Sequence, residues 1–331
     1  MKLSILDQIP VPKGITATES LARAVEIAKL GDELGYERIW FAEHHNTTSL
    51  ASSAPEITTA YVAASTKRIR VGTGGIMMMH YSPLKIAEVF KTLCGLAPGR
   101  IDFGAGRAPG GDGASMTALA SGRRPDLTEQ YDKLEVILRL MNEQATGEQV
   151  YDAVIAIPAK VQLPEAWLLG SSGQSARQAG ETGVGYSFAQ FFNGAMSRPI
   201  FEAYRSTFKP SYFMSEPKIS VTYAVSIAET EEEAKYLALP MQISRLNLMR
   251  GRIVQGLSPE EAANYPLTEM DKMLIEQNNH LILIGTAEQV ASQIAEEQAF
   301  YGFDEAMINC NQYSLDQRLT SYRLLAEQLL K

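Results

Sequence analysis

Eight short apolar runs punctuate this chain, and segments of helical period separate most of them. The runs cover residues 3–6, 38–42, 69–73, 101–105, 167–170, 186–189, 219–226 and 306–309. Strands that alternate with helices pair in parallel and carry the helices on their outer faces. A doubly wound sheet and a closed barrel both meet that condition. Eight units favour the barrel, because eight parallel strands can close on themselves around a packed interior. The expected fold is α/β, a (β/α)8 TIM barrel with insertions at its C-terminal face. A length of 331 residues suits a single such domain over 1–331.

The helical segments carry their own punctuation. Thr16 and Glu19 form a capping box ahead of Leu21, Val25, Ala28 and Leu34. A helix is expected over 53–67. Pro83 sits where a first helical turn tolerates proline, with Ile86, Phe90 and Leu93 following at helical spacing. Further helices are expected over 127–141 and 316–330, and Thr286 with Gln289 repeats the capping-box pattern. Two stretches break the rhythm, 142–164 and 239–284. The second contains helical pieces such as 240–253 and is expected to be an insertion beside the active face, able to act as a mobile lid.

Composition narrows the function. Hydrophobic residues at 45% and charged residues at 21% are ordinary for a globular protein with a large core. A net charge of −8 repels a phosphate backbone, so no nucleic-acid partner is expected. Cys94 and Cys310 are far apart and form no CxxC pair, which argues against cysteine zinc sites and a disulfide framework. No run reaches the roughly 18 apolar residues of a membrane span. The N-terminus turns polar too soon for a signal peptide, and a cytoplasmic location is expected.

Barrel active sites gather at the C-terminal ends of the strands, so the residues just after each run matter most. The second run leads into Glu43-His44-His45. A histidine titrates near neutral pH and can move protons. Neighbours on an extended chain point apart, whereas a metal-binding barrel favours a same-facing pair. His80 and His280 are the only other histidines, and no metal is expected. After the third run, Gly72-Thr73-Gly74-Gly75 permits close backbone approach to a flat ligand, or a plain turn. After the fourth comes Gly104-Ala105-Gly106-Arg107-Ala108-Pro109, a near match to the dinucleotide fingerprint with proline in the third glycine position. Arg107 could pair with a phosphate, or be a surface arginine. After the fifth, Gly170-Ser171-Ser172-Gly173-Gln174-Ser175 opens a helix. Helix N–H groups and serine hydroxyls there offer an anion site, and simple capping by Ser172 is the alternative.

Together, segments 40–45, 71–75, 98–104 with Arg107, 169–172 and 285–290 resemble the bacterial luciferase-like flavin monooxygenases. The matches keep their order and cover nearly the whole chain. The likeness is to single-chain luciferase-like oxidoreductases rather than to light-emitting subunits. The resemblance implies FMN bound at the C-terminal face of a TIM barrel. Arg107, Ser172 and Ser175 would hold the phosphate, and Ser171 stands where luciferase has a glutamate. Gly74 and Gly75 stand where the family has a non-proline cis peptide against the isoalloxazine ring. His44 matches the catalytic histidine, with Glu43 expected to tune it, and Gly106 replaces the reactive cysteine of luciferase.

The expected activity follows from that likeness. A separate NAD(P)H:flavin reductase would supply reduced FMN, and O2 would provide one oxygen atom to a small organic substrate such as an aldehyde or another carbonyl compound. A homodimer built on barrel helices is expected. Three rivals stand beside this reading: a deazaflavin-dependent hydride-transfer enzyme, a non-catalytic flavin-binding protein, and a metal-dependent barrel hydrolase.

Overall fold

The computed structural model describes residues 1–123, 129–193 and 196–330. Its strands are β1 (Lys2–Asp7), β2 (Arg38–Phe41), β3 (Arg70–Thr73), β4 (Ile76–Met77), β5 (Ile101–Gly106), β6 (Glu165–Gly170), β7 (Gly185–Ala189), β8 (Ile219–Ala228), β9 (Ile282–Thr286) and β10 (Glu305–Asn309). Eight of them close a parallel barrel in the order β1-β2-β3-β5-β6-β7-β8-β10, with β10 returning to β1. Each of the eight runs expected from sequence supplies one of these strands.

Two strands lie outside the expected eight. The two-residue β4 pairs with Ala105 and Gly106 at the end of β5. The other, β9, pairs with β8 over 224–228, while β10 takes β8 over 220–224. The residues of β9 straddle the end of the 239–284 stretch, which reads from sequence as one insertion, so this strand is not among the eight expected runs.

The helices follow their sequence signals closely. The capping boxes at Thr16–Glu19 and Thr286–Gln289 both form. Helices occupy Pro55–Ser65, Pro83–Leu96 and Leu315–Leu329. The helix expected over 127–141 is found as Gln130–Met141, and Leu127 and Thr128 fall outside the described residues. The piece expected at 240–253 belongs to a longer helix, Glu231–Met249, that starts earlier and runs through Pro240. Thr230 caps its first turn, and Glu231, Glu232 and Glu233 complement the helix dipole there, so the helix starts ahead of the proline. Among the described residues, no helix is long and apolar enough to cross a membrane.

Alternation along each strand sorts side chains into two shells. Ile39, Phe41, Val71, Phe103, Leu168 and Phe188 face outward into the apolar layer beneath the helices. Leu6, Trp40, Ala42, Trp167 and Met307 form a separate cluster inside the barrel. Below that cluster, at the N-terminal ends of the strands, lies an ionic floor. The Arg38 guanidinium is fully buried and reaches Asp102 at 2.7 Å, Glu305 at 2.9 Å and Glu165 at 3.2 Å. Arg70 pairs with Asp102 at 2.5 Å and Lys218 with Glu165 at 2.9 Å. The Trp40 indole donates to Asp102 at 2.9 Å, and Arg38 lies 4.9 Å from the Trp167 ring. Three basic side chains thus face three acidic ones.

Breaking such a network by removing one member leaves buried charge uncompensated. Arg38→Ala should therefore cost about 3–5 kcal/mol of stability, read from urea unfolding, and a loss below about 1 kcal/mol would contradict this account. Glu165 gives a pH signature. Burial opposes its charge, but Arg38 and Arg70 together with Lys218 hold its carboxyl at about 2, below the ordinary 4.5. The stabilisation from this pairing is complete above that ordinary value and is lost as pH falls toward about 2. The urea midpoint should drop between pH 5 and pH 3, and Glu165→Gln should flatten that drop.

Candidate active site at the barrel mouth

Beyond the end of β2, Ala42 still packs with the interior cluster, and His44 follows two residues later. The His44 backbone N–H donates to Ser52 O at 2.7 Å, which fixes this turn. The imidazole is largely enclosed, and its Nδ1 has no partner among the described residues. Burial, reinforced by neighbouring His45, lowers its pKa to about 4. At neutral pH His44 is therefore an uncharged imidazole with a buried nitrogen still available.

Glu43 is placed differently from the expectation that it tunes His44. Its carboxylate is fully buried and pairs with His45 Nε2 at 2.7 Å. It also accepts from the Tyr81 hydroxyl at 2.8 Å and from the Met77 backbone N–H at 2.7 Å. Its contacts pin the segment that immediately follows Gly74 and Gly75. Burial and the nearby Glu43 charge push the Tyr81 hydroxyl well above its usual range, so Tyr81 remains a donor.

The Gly74–Gly75 peptide is cis. A Cβ on Gly74 would lie 2.7 Å from Leu6 Cδ1 and 2.9 Å from Trp40 Cβ. A Cβ on Gly75 would lie 2.8 Å from Gly104 O. Only glycine fits such close approach, and both glycines are buried against neighbouring strands. At Gly106 a Cβ would meet Met77 Sδ at 3.0 Å, so a larger residue there would require Met77 to move.

On the neighbouring wall, Arg107 follows β5 directly. Its guanidinium carbon sits 4.5 Å above the Tyr131 ring, yet Arg107 Nε and the Tyr131 hydroxyl are buried without partners among the described residues. Ser172 caps the helix Gly173–Thr182 by accepting from Ser175 N–H, and the Ser175 side chain returns the bond in a capping box. The Ser175 hydroxyl lies 3.2 Å from the Tyr186 hydroxyl, which also donates to Ser172 O at 3.1 Å. Burial raises the Tyr186 pKa to about 12, with Tyr131 adding to the rise and Arg107 opposing it. Arg107, Ser172 and Ser175 thus converge through two tyrosines that the sequence motifs did not single out. Ser171 is half-buried at the start of the same turn. Ser172 capping, one of the two alternatives, is realised.

Comparison with known proteins gives this arrangement a family. The family model described as luciferase-like monooxygenase matches residues 1–304. An uncharacterized protein YceB of Bacillus subtilis is 40% identical, over 99% of this chain and 99% of its own length. N-acetyl-S-alkylcysteine monooxygenase of Bacillus subtilis is 34% identical, over 100% of this chain and 98% of its own. The solved structure of apo-MsnO8 superposes with a TM-score of 0.91 at 33% identity, covering 99% of this chain and 98% of that one. More distant structures share the fold. The oxygenating constituent of 3,6-diketocamphane monooxygenase from Pseudomonas putida, solved with FMN, has a TM-score of 0.68 at 17% identity, covering 98% and 96% of the two chains. An F420-dependent secondary alcohol dehydrogenase, solved with an F420-acetone adduct, has a TM-score of 0.67 at 15% identity, covering 99% and 98%. The chain belongs to the luciferase-like monooxygenase family, whose members are oxidoreductases that incorporate molecular oxygen.

Proposed function

We propose that this protein uses reduced FMN and O2 to oxygenate a small organic substrate. The observation that carries the reading is the buried, unpartnered Arg107 Nε beside the capped helix start at Ser172. A cation with a spare donor next to helix N–H groups is a site for one phosphate. The Gly74–Gly75 backbone and the apolar interior beside it fit a flat ring. This donor set therefore fits a phosphorylated flavin. When bound in reduced form, such a cofactor supplies the electrons that activate O2.

The chain's own residues then have distinct roles. Arg107, Ser172 and Ser175 hold the phosphate, and Ser171 flanks it. Gly74 and Gly75 give the ring a surface without side chains. The axial cluster of Leu6, Trp40, Trp167 and Met307 keeps water from the reacting end. His44 is uncharged at neutral pH and takes up and returns a proton through Nδ1. Glu43 acts as a positioning residue, holding Met77 and His45. The named substrate of the N-acetyl-S-alkylcysteine monooxygenase relative extends the candidate substrates from aldehydes and carbonyl compounds to thioethers.

The remaining expectations belong to the same reading. A separate NAD(P)H:flavin reductase supplies the reduced cofactor, and both proteins work in the cytoplasm. The 239–284 segment serves as a cap: Gly256 O accepts from Lys13 N–H at 2.8 Å, and Arg245 donates to Phe191 O at 2.9 Å. Those contacts reach the loops after β1 and β7. Ile57 and Tyr61, each 66% exposed on the helix Pro55–Ser65, offer an apolar face for a homodimer.

Fluorescence titration tests the cofactor assignment. Arg107→Ala should weaken FMN binding about ten- to a hundredfold, and His44→Ala should leave it within about threefold while lowering turnover about a hundredfold or more. Preference for a deazaflavin, or unchanged FMN affinity in Arg107→Ala, would overturn the assignment. The His44 protonation state is open to nitrogen-15 NMR of the imidazole. Its folded value of about 4 lies below the ordinary 6.5, so its resonance should stay that of the neutral ring from pH 8 to pH 5.5. A midpoint near 6.5 would contradict the enclosed position.

A further inference from the structure

In the closed ring of eight strands, β10 stands four places from β5, the largest separation the ring allows. The end of β10 therefore faces Arg107 across the whole mouth. Along β10, Glu305 bonds Arg38 on the floor and Met307 joins the axial cluster. Ala306 and Ile308 lie instead in the outer shell. The same alternation puts Asn309 on the axial side, one level above Met307. Asn309 is only 1% exposed, and its Nδ2 has no partner among the described residues.

A buried amide without a partner is costly, and its place at the open end of the barrel points to a ligand. The surroundings define that ligand's chemistry. Asn311 Nδ2 donates to Gln8 Oε1 at 2.8 Å, a carboxamide pair just beyond the ends of β1 and β10. The charges of Asp7 and Arg318 pair through Asp7 Oδ1 at 2.8 Å. No net charge is offered to a ligand here, in contrast to the Arg107 side.

From this juxtaposition we infer that Asn309, flanked by the Gln8–Asn311 pair, is a neutral hydrogen-bonding subsite for an uncharged carbonyl or amide oxygen of the substrate. The inference rests on the flavin reading, which assigns the phosphate to the opposite wall. The same donors could instead serve the flavin's own ring carbonyls, and the test separates these two sources.

The probe is N-pentylacetamide, with heptanoate as an anionic match of similar length. Each is titrated by ligand-observed NMR into wild type and Asn309→Leu, and FMN affinity is measured in parallel by fluorescence. Wild type should bind the amide about tenfold more tightly than the carboxylate. Asn309→Leu should lose about tenfold in amide affinity, with FMN affinity unchanged. A tenfold loss of FMN affinity with amide binding intact would assign the donors to the flavin and overturn the proposal. Unchanged binding of both ligands would overturn it as well. If Asn309→Leu fails to fold, by circular dichroism, Asn309→Ala carries the same comparison. Failure of wild type to bind FMN would sink the flavin reading itself, and the amide preference would still be measurable.

Discussion

Arg38 sets the geometry of the barrel from its floor. One guanidinium, wholly removed from solvent, ties carboxylates of β5, β6 and β10 to β2. A buried arginine is tolerable only when its donors are satisfied and its charge is matched. Arg38, Arg70 and Lys218 meet Asp102, Glu165 and Glu305 in matched charge, and Arg38 Nη2, without a hydrogen-bond partner among the described residues, has Glu37 at 3.7 Å. Each strand that sends a charged residue to the floor is thereby fixed in register, because a slip of one residue would turn that charge into the apolar outer layer. The inward positions above the floor then follow by alternation.

The middle level holds Leu6, Trp40, Trp167 and Met307, which fill the interior. Above them the inward positions include the small residues Ala42, Gly74, Gly106 and Ala224 as well as Leu169 and Asn309. The polar groups around this end of the barrel divide by chemistry. Arg107 and the capped helix at Ser172 form the side to which the proposed reading assigns the phosphate. His44 offers an uncharged imidazole beside the Gly74–Gly75 backbone. Asn309 stands across from Arg107 with a neutral amide. A ligand held at its charged end by the first group would present its far portion to the other two, which is the geometry an oxygen-transfer enzyme needs for orienting reactants.

Much of the barrel was legible in the chain. Short apolar and β-branched runs mark strands because their pattern is local, and capping boxes such as Thr286–Gln289 mark helix starts for the same reason. The strand β9 was hidden because it sits within a stretch that broke the expected rhythm. The ionic floor was not legible, since Arg38, Asp102 and Glu305 meet only when strands distant in sequence become neighbours. In the site, Glu43 was expected to tune the adjacent His44, whereas the contact its carboxylate makes is with His45, two residues on. Tyr131 and Tyr186 carried no motif, and only the closing of the barrel brings them between Arg107 and Ser175.

The central claim is that this mouth binds reduced flavin and controls its reaction with oxygen. The direct measurement is an anaerobic titration of the purified protein with reduced FMN, followed by rapid mixing with air-saturated buffer while spectra are recorded. The account predicts saturable binding of the reduced cofactor and, after mixing, a long-lived spectrum distinct from both free reduced and free oxidised FMN. Reoxidation at the rate of FMN in buffer, with no such spectrum, would contradict it.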